Sequence, residues 1–152
     1  MNSKLMRIAA LTLFGLIAAT ASANASAGSI GQLSGTWEIT GKPDPSNVCG
    51  VSEFVNLTSI TRDGKITNVD PEVGTAVGEA YRMGPKTYAA GFFGFIDTGN
   101  GILRYEVQST LESQDRSHFT GKFRSTIFDP AMNPVCRYEG TVEGYRQVPM
   151  PY

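Results

Sequence analysis

The sequence predicts an all-β domain, a single eight-stranded antiparallel up-and-down barrel, on three observations. Apolar and polar residues alternate with period two over the last third of the chain. No stretch of a dozen residues beyond the N-terminal segment keeps a 3.6-residue apolar period. Gly, Asp-Pro and Asp-Gly punctuate what is left at strand-length intervals.

The N-terminal segment reads as a leader. Lys4 and Arg7 supply its positive start, Leu11 to Ala19 its apolar stretch, and Ala25-Ser26-Ala27 an A-x-A cleavage site. The apolar stretch is too short for a membrane span, and nothing later is long and apolar enough to anchor. The expected organisation is therefore a signal peptide over 1–27 and a barrel domain over 28–152, secreted or periplasmic. Cleavage after Ala27 would leave 125 residues, enough for one core and too few for two. Without Lys4 and Arg7, eleven basic residues face fourteen acidic ones, a net charge of −3. A weakly acidic domain with no basic stripe is a poor nucleic-acid binder.

Alternation places the strands at about 35–41, 53–62, 65–69, 76–83, 86–96, 102–113, 117–128 and 135–146. It is clearest late: Leu103, Tyr105, Val107, Ser109 and Leu111 share one face, as do Phe119, Gly121, Phe123, Ser125 and Ile127. One wet face and one apolar face mark an antiparallel sheet over a core. Closing eight such strands removes the exposed edges and leaves an interior sized for side chains or one small ligand.

In a meander, alternate loops fall at opposite ends. Asp63-Gly64, Gly84-Pro85 and Gln114-Asp115-Arg116 are tight. Lys42 to Ser52, Asp70 to Thr75, Asp97 to Gly101 and Asp129 to Pro134 are longer, and three of these carry Asp-Pro. One end is thus a floor and the other a rim, where binding sites concentrate. Cys49 lies in the first rim loop and Cys136 at the start of the last strand, which must pair with the first to close the barrel. In an oxidising compartment the pair is expected to bridge, stapling the mouth at the seam; the alternative is two buried thiols. A closed loop of almost ninety residues is worth roughly 4–5 kcal/mol on the chain-entropy model.

Leu33-Ser34-Gly35-Thr36-Trp37, heading the first of eight strands, resembles the opening of the calycins, the superfamily that includes lipocalins and avidins. The resemblance implies that Trp37 sits at the barrel floor under a basic residue from the end of the last strand, a place Arg146 occupies, and that both are structural. The layout is also similar to the eight-stranded barrels of the allene oxide cyclase and dirigent type, which steer cyclisation or coupling without a cofactor.

Catalytic motifs are scarce. One histidine, His118, falls on a polar face; no His/Cys/Asp/Glu spacing suits a metal, and no phosphate loop or nucleophile elbow occurs. No metal or cofactor is expected. Asn56-Leu57-Thr58 is an N-x-T sequon that could carry a glycan in a eukaryotic secretory pathway.

What remains is an aromatic interior. With Trp37 inward, the wall should include Ile39, Tyr105, Val107, Phe119, Phe123 and Tyr138. Strand five offers either Tyr88, Phe92 and Ile96 or Phe93 and Phe95. Strand four could turn Glu79 and Tyr81 inward together, giving a carboxyl whose ionised form is disfavoured beside a phenol, an acid/base pair; the competing reading pairs Glu79 with an arginine at the surface. Gly121, Gly140, Gly144 and Ala90, opposite large residues, would leave a cavity; the alternative is that the aromatics simply fill a small barrel.

The leading expectation is an exported barrel binding a small hydrophobic or aromatic molecule in its lumen, lined by Tyr81, Tyr88, Phe93, Tyr105, Phe123 and Tyr138. One alternative is a cofactor-free cyclase or isomerase using Glu79 and Tyr81. Another is a barrel that binds protein or inhibits a protease through rim segments such as Asp44–Asn47 and Pro130–Asn133.

Overall fold

The computed structural model describes residues 30–148; the expected leader and its cleavage site lie outside them. After a 3-10 turn at Gly31–Leu33 come β1 (Gly35–Pro43), β2 (Phe54–Ile60), β3 (Lys65–Asp70), β4 (Gly74–Arg82), β5 (Thr87–Asp97), β6 (Ile102–Ser113), β7 (His118–Phe128) and β8 (Pro134–Arg146). Each strand pairs with its neighbours in sequence, and β8 returns to β1, closing the barrel in up-and-down order. The expected strands are all present, with ends displaced by a few residues. At the β2–β3 turn, for instance, the Thr61 N–H donates to the Lys65 carbonyl (2.9 Å), ending pairing two residues earlier than alternation suggests.

The two ends differ as expected. The turns at 61–64, 83–86 and 114–117 lie at the floor, and the connections at 44–53, 71–73, 98–101 and 129–133 form the rim. The floor is plugged. Trp37 is 1% exposed, its indole N–H donates to the Leu33 carbonyl (2.8 Å), and its ring meets Phe119 edge-on at 4.9 Å between centroids. Ile30, Leu33 and Tyr88 are buried in the same core. Each such side chain contributes about 1.5–3 kcal/mol by leaving water.

Arg146 closes the seam beside this plug. Its guanidinium lies 4.4 Å from the centre of the Trp37 ring and donates to the backbone carbonyls of Gln32, Ser34 and Arg116. Gly35 has φ +136°, and a Cβ there would lie 2.2 Å from Arg146 Nη1. The glycine of Gly-x-Trp is thus required twice, by its backbone angle and by the cation passing over it.

A second packing device runs round the wall. Gly41 is the register partner of Phe54, Gly94 of Tyr105, Gly140 of Phe123 and Gly144 of Phe119. In every pair the ring lies over its glycine: an added Cβ would come within 2.0 Å of Phe54, 2.6 Å of Tyr105, 2.8 Å of Phe123 and 2.2 Å of Phe119. The expectation that Gly140 and Gly144 leave empty space is corrected, since their partners' rings fill it.

At the rim, Cys49 and Cys136 are joined as a disulfide, Cα to Cα 5.8 Å. The loop carrying Cys49 is further held by Asn47, whose amide donates to the carbonyls of Asp44 (2.9 Å) and Val51 (3.0 Å) and accepts from the Val51 N–H (3.0 Å).

Candidate functional site

Above the plug the barrel is hollow. A cavity of about 290 Å³ runs from Phe119 at its base to residues 50–53 and 72–73 at the rim. Its volume is that of a small-molecule site at the lower end of the usual range.

Most of the wall is apolar. Ile39, Ala90, Phe92, Ile96, Val107 and Ile127 contribute to it, so strand five presents the Tyr88, Phe92, Ile96 face. Towards the mouth, Phe54, Phe123 and Tyr138 form an edge-to-face cluster, with Phe123 5.8 Å from each of the other two rings. Geometry of this kind adds about 0.5–1.5 kcal/mol per pair beyond burial.

One side of the wall is polar. Asn68 on β3 donates from Nδ2 to Thr58 Oγ1 (2.7 Å), and the Thr58 hydroxyl donates to Asn56 Oδ1 on β2 (3.2 Å). All three are buried and line the cavity. Asp70 continues the stripe to the mouth, its Oδ1 accepting the N–H groups of Glu72 (2.8 Å) and Val73 (3.2 Å). This inward stripe also settles the sequon: Asn56 is 7% exposed and faces the lumen, so the folded barrel does not present it for a glycan.

Tyr105 stands four strands from β2, across the lumen. Its hydroxyl is buried and has no hydrogen-bond partner among the described residues. Burial, then the Asp70 charge and Tyr138, push its phenol up to about 12. Burial likewise raises Tyr138. Both are neutral hydrogen-bonding groups at ordinary pH.

The residues singled out from sequence divide in two. Tyr105, Phe123 and Tyr138 line the cavity, while Tyr88 points inward but is sealed in the floor core. Glu79, Tyr81 and Phe93 are on the outer surface. Glu79 is ion-paired with Lys65 across the β3–β4 ladder, Tyr81 is about half exposed, and Phe93 stacks under Arg104, 4.5 Å from its ring centre. The inward Glu79–Tyr81 pair is therefore corrected, as is an inward Phe93. The surface reading of Glu79 holds, with a lysine in place of the arginine. β4 turns Ala76, Gly78 and Ala80 inward, and Gly78 has no room for a side chain, since a Cβ there would fall 2.0 Å from the Gly91 carbonyl oxygen and 2.5 Å from the Phe92 Cβ on β5.

Sequence reasoning missed the lining role of Asn56, Thr58, Asn68 and Asp70. The signal was present: Phe54 and Ile60 fix the inward phase of β2, and that phase carries the two polar residues between them. Among the described residues, no group of three His, Cys, Asp or Glu side chains is placed to hold a metal ion. His118 stacks on Tyr145 at the outer surface (4.7 Å between ring centroids) and contacts Glu143 (2.9 Å). Compared with known proteins, the chain matches no family model and no curated relative.

Proposed function

We propose that this protein is an exported calycin-like barrel that binds a small, largely apolar or aromatic molecule in its lumen, entered from the rim. The observation that carries the reading is the hollow upper half itself. Its floor is plugged by buried side chains, yet space of about 290 Å³ is kept open above it, between an aromatic wall and a hydrogen-bonded polar stripe. Fixed polar groups on one side of an apolar pocket are what orients a small ligand. The disulfide and the Asn47 contacts tie down the first rim loop, and the disulfide supports export to an oxidising compartment.

A cofactor-free cyclase or isomerase in the same cavity is the second reading. With Glu79 outside, it would rest on Asp70 and Tyr105, the lumen carboxylate and the phenol that its charge reaches. Rim-loop protein binding has no comparable structural feature in its favour.

Native mass spectrometry of the protein purified from its own source tests the proposal. A bound small molecule is expected, retained by Glu79→Gln and lost when Ala90→Phe fills the lumen. Turnover of that molecule would move the reading to the enzyme. An empty barrel, or a ligand indifferent to Ala90→Phe, would refute lumen binding.

A further inference from the structure

The lumen carries charge of one sign. Among the described residues, the charged side chains that line it are Glu53, Asp70 and Glu72, all at the mouth; no Lys, Arg or His reaches the cavity. Acidic residues on rim loops are common and by themselves identify nothing. Two further observations give these a direction.

The first is Tyr105. It is 7% exposed, lines the cavity, and its hydroxyl has no partner within the described protein. A buried hydroxyl without a partner costs about 1–3 kcal/mol, and Tyr105, unlike the other unpartnered buried atoms Arg104 Nε and Ser125 Oγ, belongs to a residue lining the cavity, where a bound molecule can supply the partner. The second is the ring cluster of Phe54, Phe123 and Tyr138 beneath the same mouth. Ring faces attract cations, and more strongly where water is excluded. Carboxylates at the opening of a low-dielectric cleft also focus their field into it and raise the local concentration of cations.

Resting on the lumen-binding reading above, we propose that the ligand is a protonated amine on a compact aromatic or apolar body. Its ammonium lies at the mouth, donating to the Asp70 carboxylate and to the Tyr105 hydroxyl oxygen, with Glu53 and Glu72 adding to the field. Its apolar body descends along Phe92, Val107 and Phe123 towards Phe119. A carboxylate ligand of the same shape meets three like charges and no cation. A neutral one leaves Asp70 without a charged partner.

Isothermal titration of the folded, disulfide-bonded protein with naphthylethylamine, naphthylethanol and naphthylacetate tests this. The three share an aromatic body and differ in head-group charge. The amine is expected to bind about tenfold more tightly than the alcohol, and the acetate most weakly. Asp70→Asn keeps the side-chain oxygen that accepts from Glu72 and Val73, so the rim turn is preserved. It should bring the amine to within about twofold of the alcohol. Equal or tighter binding of the alcohol or acetate overturns the charge assignment and leaves lumen binding standing. So does an amine preference that survives Asp70→Asn. Binding of none of the three overturns this assignment, and if native mass spectrometry also finds the barrel empty, the lumen reading falls with it.

Discussion

Trp37 and Arg146 are register partners across the β1–β8 seam, and the guanidinium lies over the indole at 4.4 Å. The third residue of the first strand and the last of the final strand thus complete the barrel by touching each other. Arg146 adds hydrogen bonds to three carbonyls that otherwise face the plugged end unsatisfied by a side chain.

Arg146→Ala should therefore destabilise the fold by about 2–3 kcal/mol, through lost stacking and lost charge-assisted hydrogen bonds. Arg146→Lys should recover less than half of this, because a single ammonium cannot serve three divergent carbonyls and a ring face together. Urea denaturation midpoints measure both. A lysine variant as stable as the parent would show that only the charge matters.

Tyr105 supplies a pH signature. Its phenol is raised to about 12 in the folded protein and titrates near 10 when unfolded. Its contribution to stability is fully present below about pH 10 and is lost as pH rises towards about 12, because the unfolded chain gives up a proton the folded chain keeps. Tyr105→Phe should remove that alkaline loss. It should also raise stability near neutrality by up to about 1 kcal/mol, since an unpartnered hydroxyl leaves the core, while weakening ligand binding. Thermal melts between pH 7 and 11 decide the matter; identical alkaline slopes for parent and variant would contradict it.

The Cys49–Cys136 bridge closes a separation of 87 residues, the longest covalent loop available to this chain. Replacing both cysteines with alanine should cost about 2–4 kcal/mol. Hydrogen exchange should show the loss of protection concentrated in 44–53, with β5 to β7 still protected, because their ladders do not depend on the bridge. Uniform loss over all strands would mean that the bridge holds the whole barrel and not its mouth.

Met132 stands at φ 64° in the β7–β8 rim loop, a left-handed conformation that costs a non-glycine residue about 1–2 kcal/mol. The loop is otherwise well tied: Asn133 donates from its backbone to Asp129 Oδ1 (2.8 Å) and from its amide to Oδ2 (3.1 Å). Met132→Gly should relieve the strain and raise stability by about 0.5–1 kcal/mol after glycine's own entropy is counted. An unchanged denaturation midpoint would argue that the side chain contributes as much as the strain removes.

Much of this architecture was legible because it rests on period two. The strand order, the division into floor and rim and the reach between Cys49 and Cys136 all follow from alternation and loop length, while the closing pair Trp37–Arg146 came from the resemblance carried by Gly35-Thr36-Trp37. The phase of β4 did not, because its larger residues, Val77 and Tyr81, face out and its inward positions are Ala76, Gly78 and Ala80. Apolar size normally marks the inner face; here the closely approaching backbone of β5 at Gly91 and Phe92 leaves no room for a side chain at Gly78. The polar stripe was hidden for the complementary reason. Asn56, Thr58 and Asn68 satisfy one another, so they occupy inward positions that a hydropathy pattern assigns to the surface.

The ring-over-glycine pairs answer a question that alternation leaves open. Sliding β7 along β8 by two residues keeps every side chain on its own face, so the polar–apolar pattern cannot tell the slipped ladder from the native one. The slip would set Phe119 against Val142 or Arg146 in place of Gly144, and Phe123 against Tyr138 or Val142 in place of Gly140. No room exists for a ring there. Because the offsets of all eight ladders together set the shear of the cylinder, a slip in one would either carry Trp37 past Arg146 at the seam or change the tilt and width of the whole barrel.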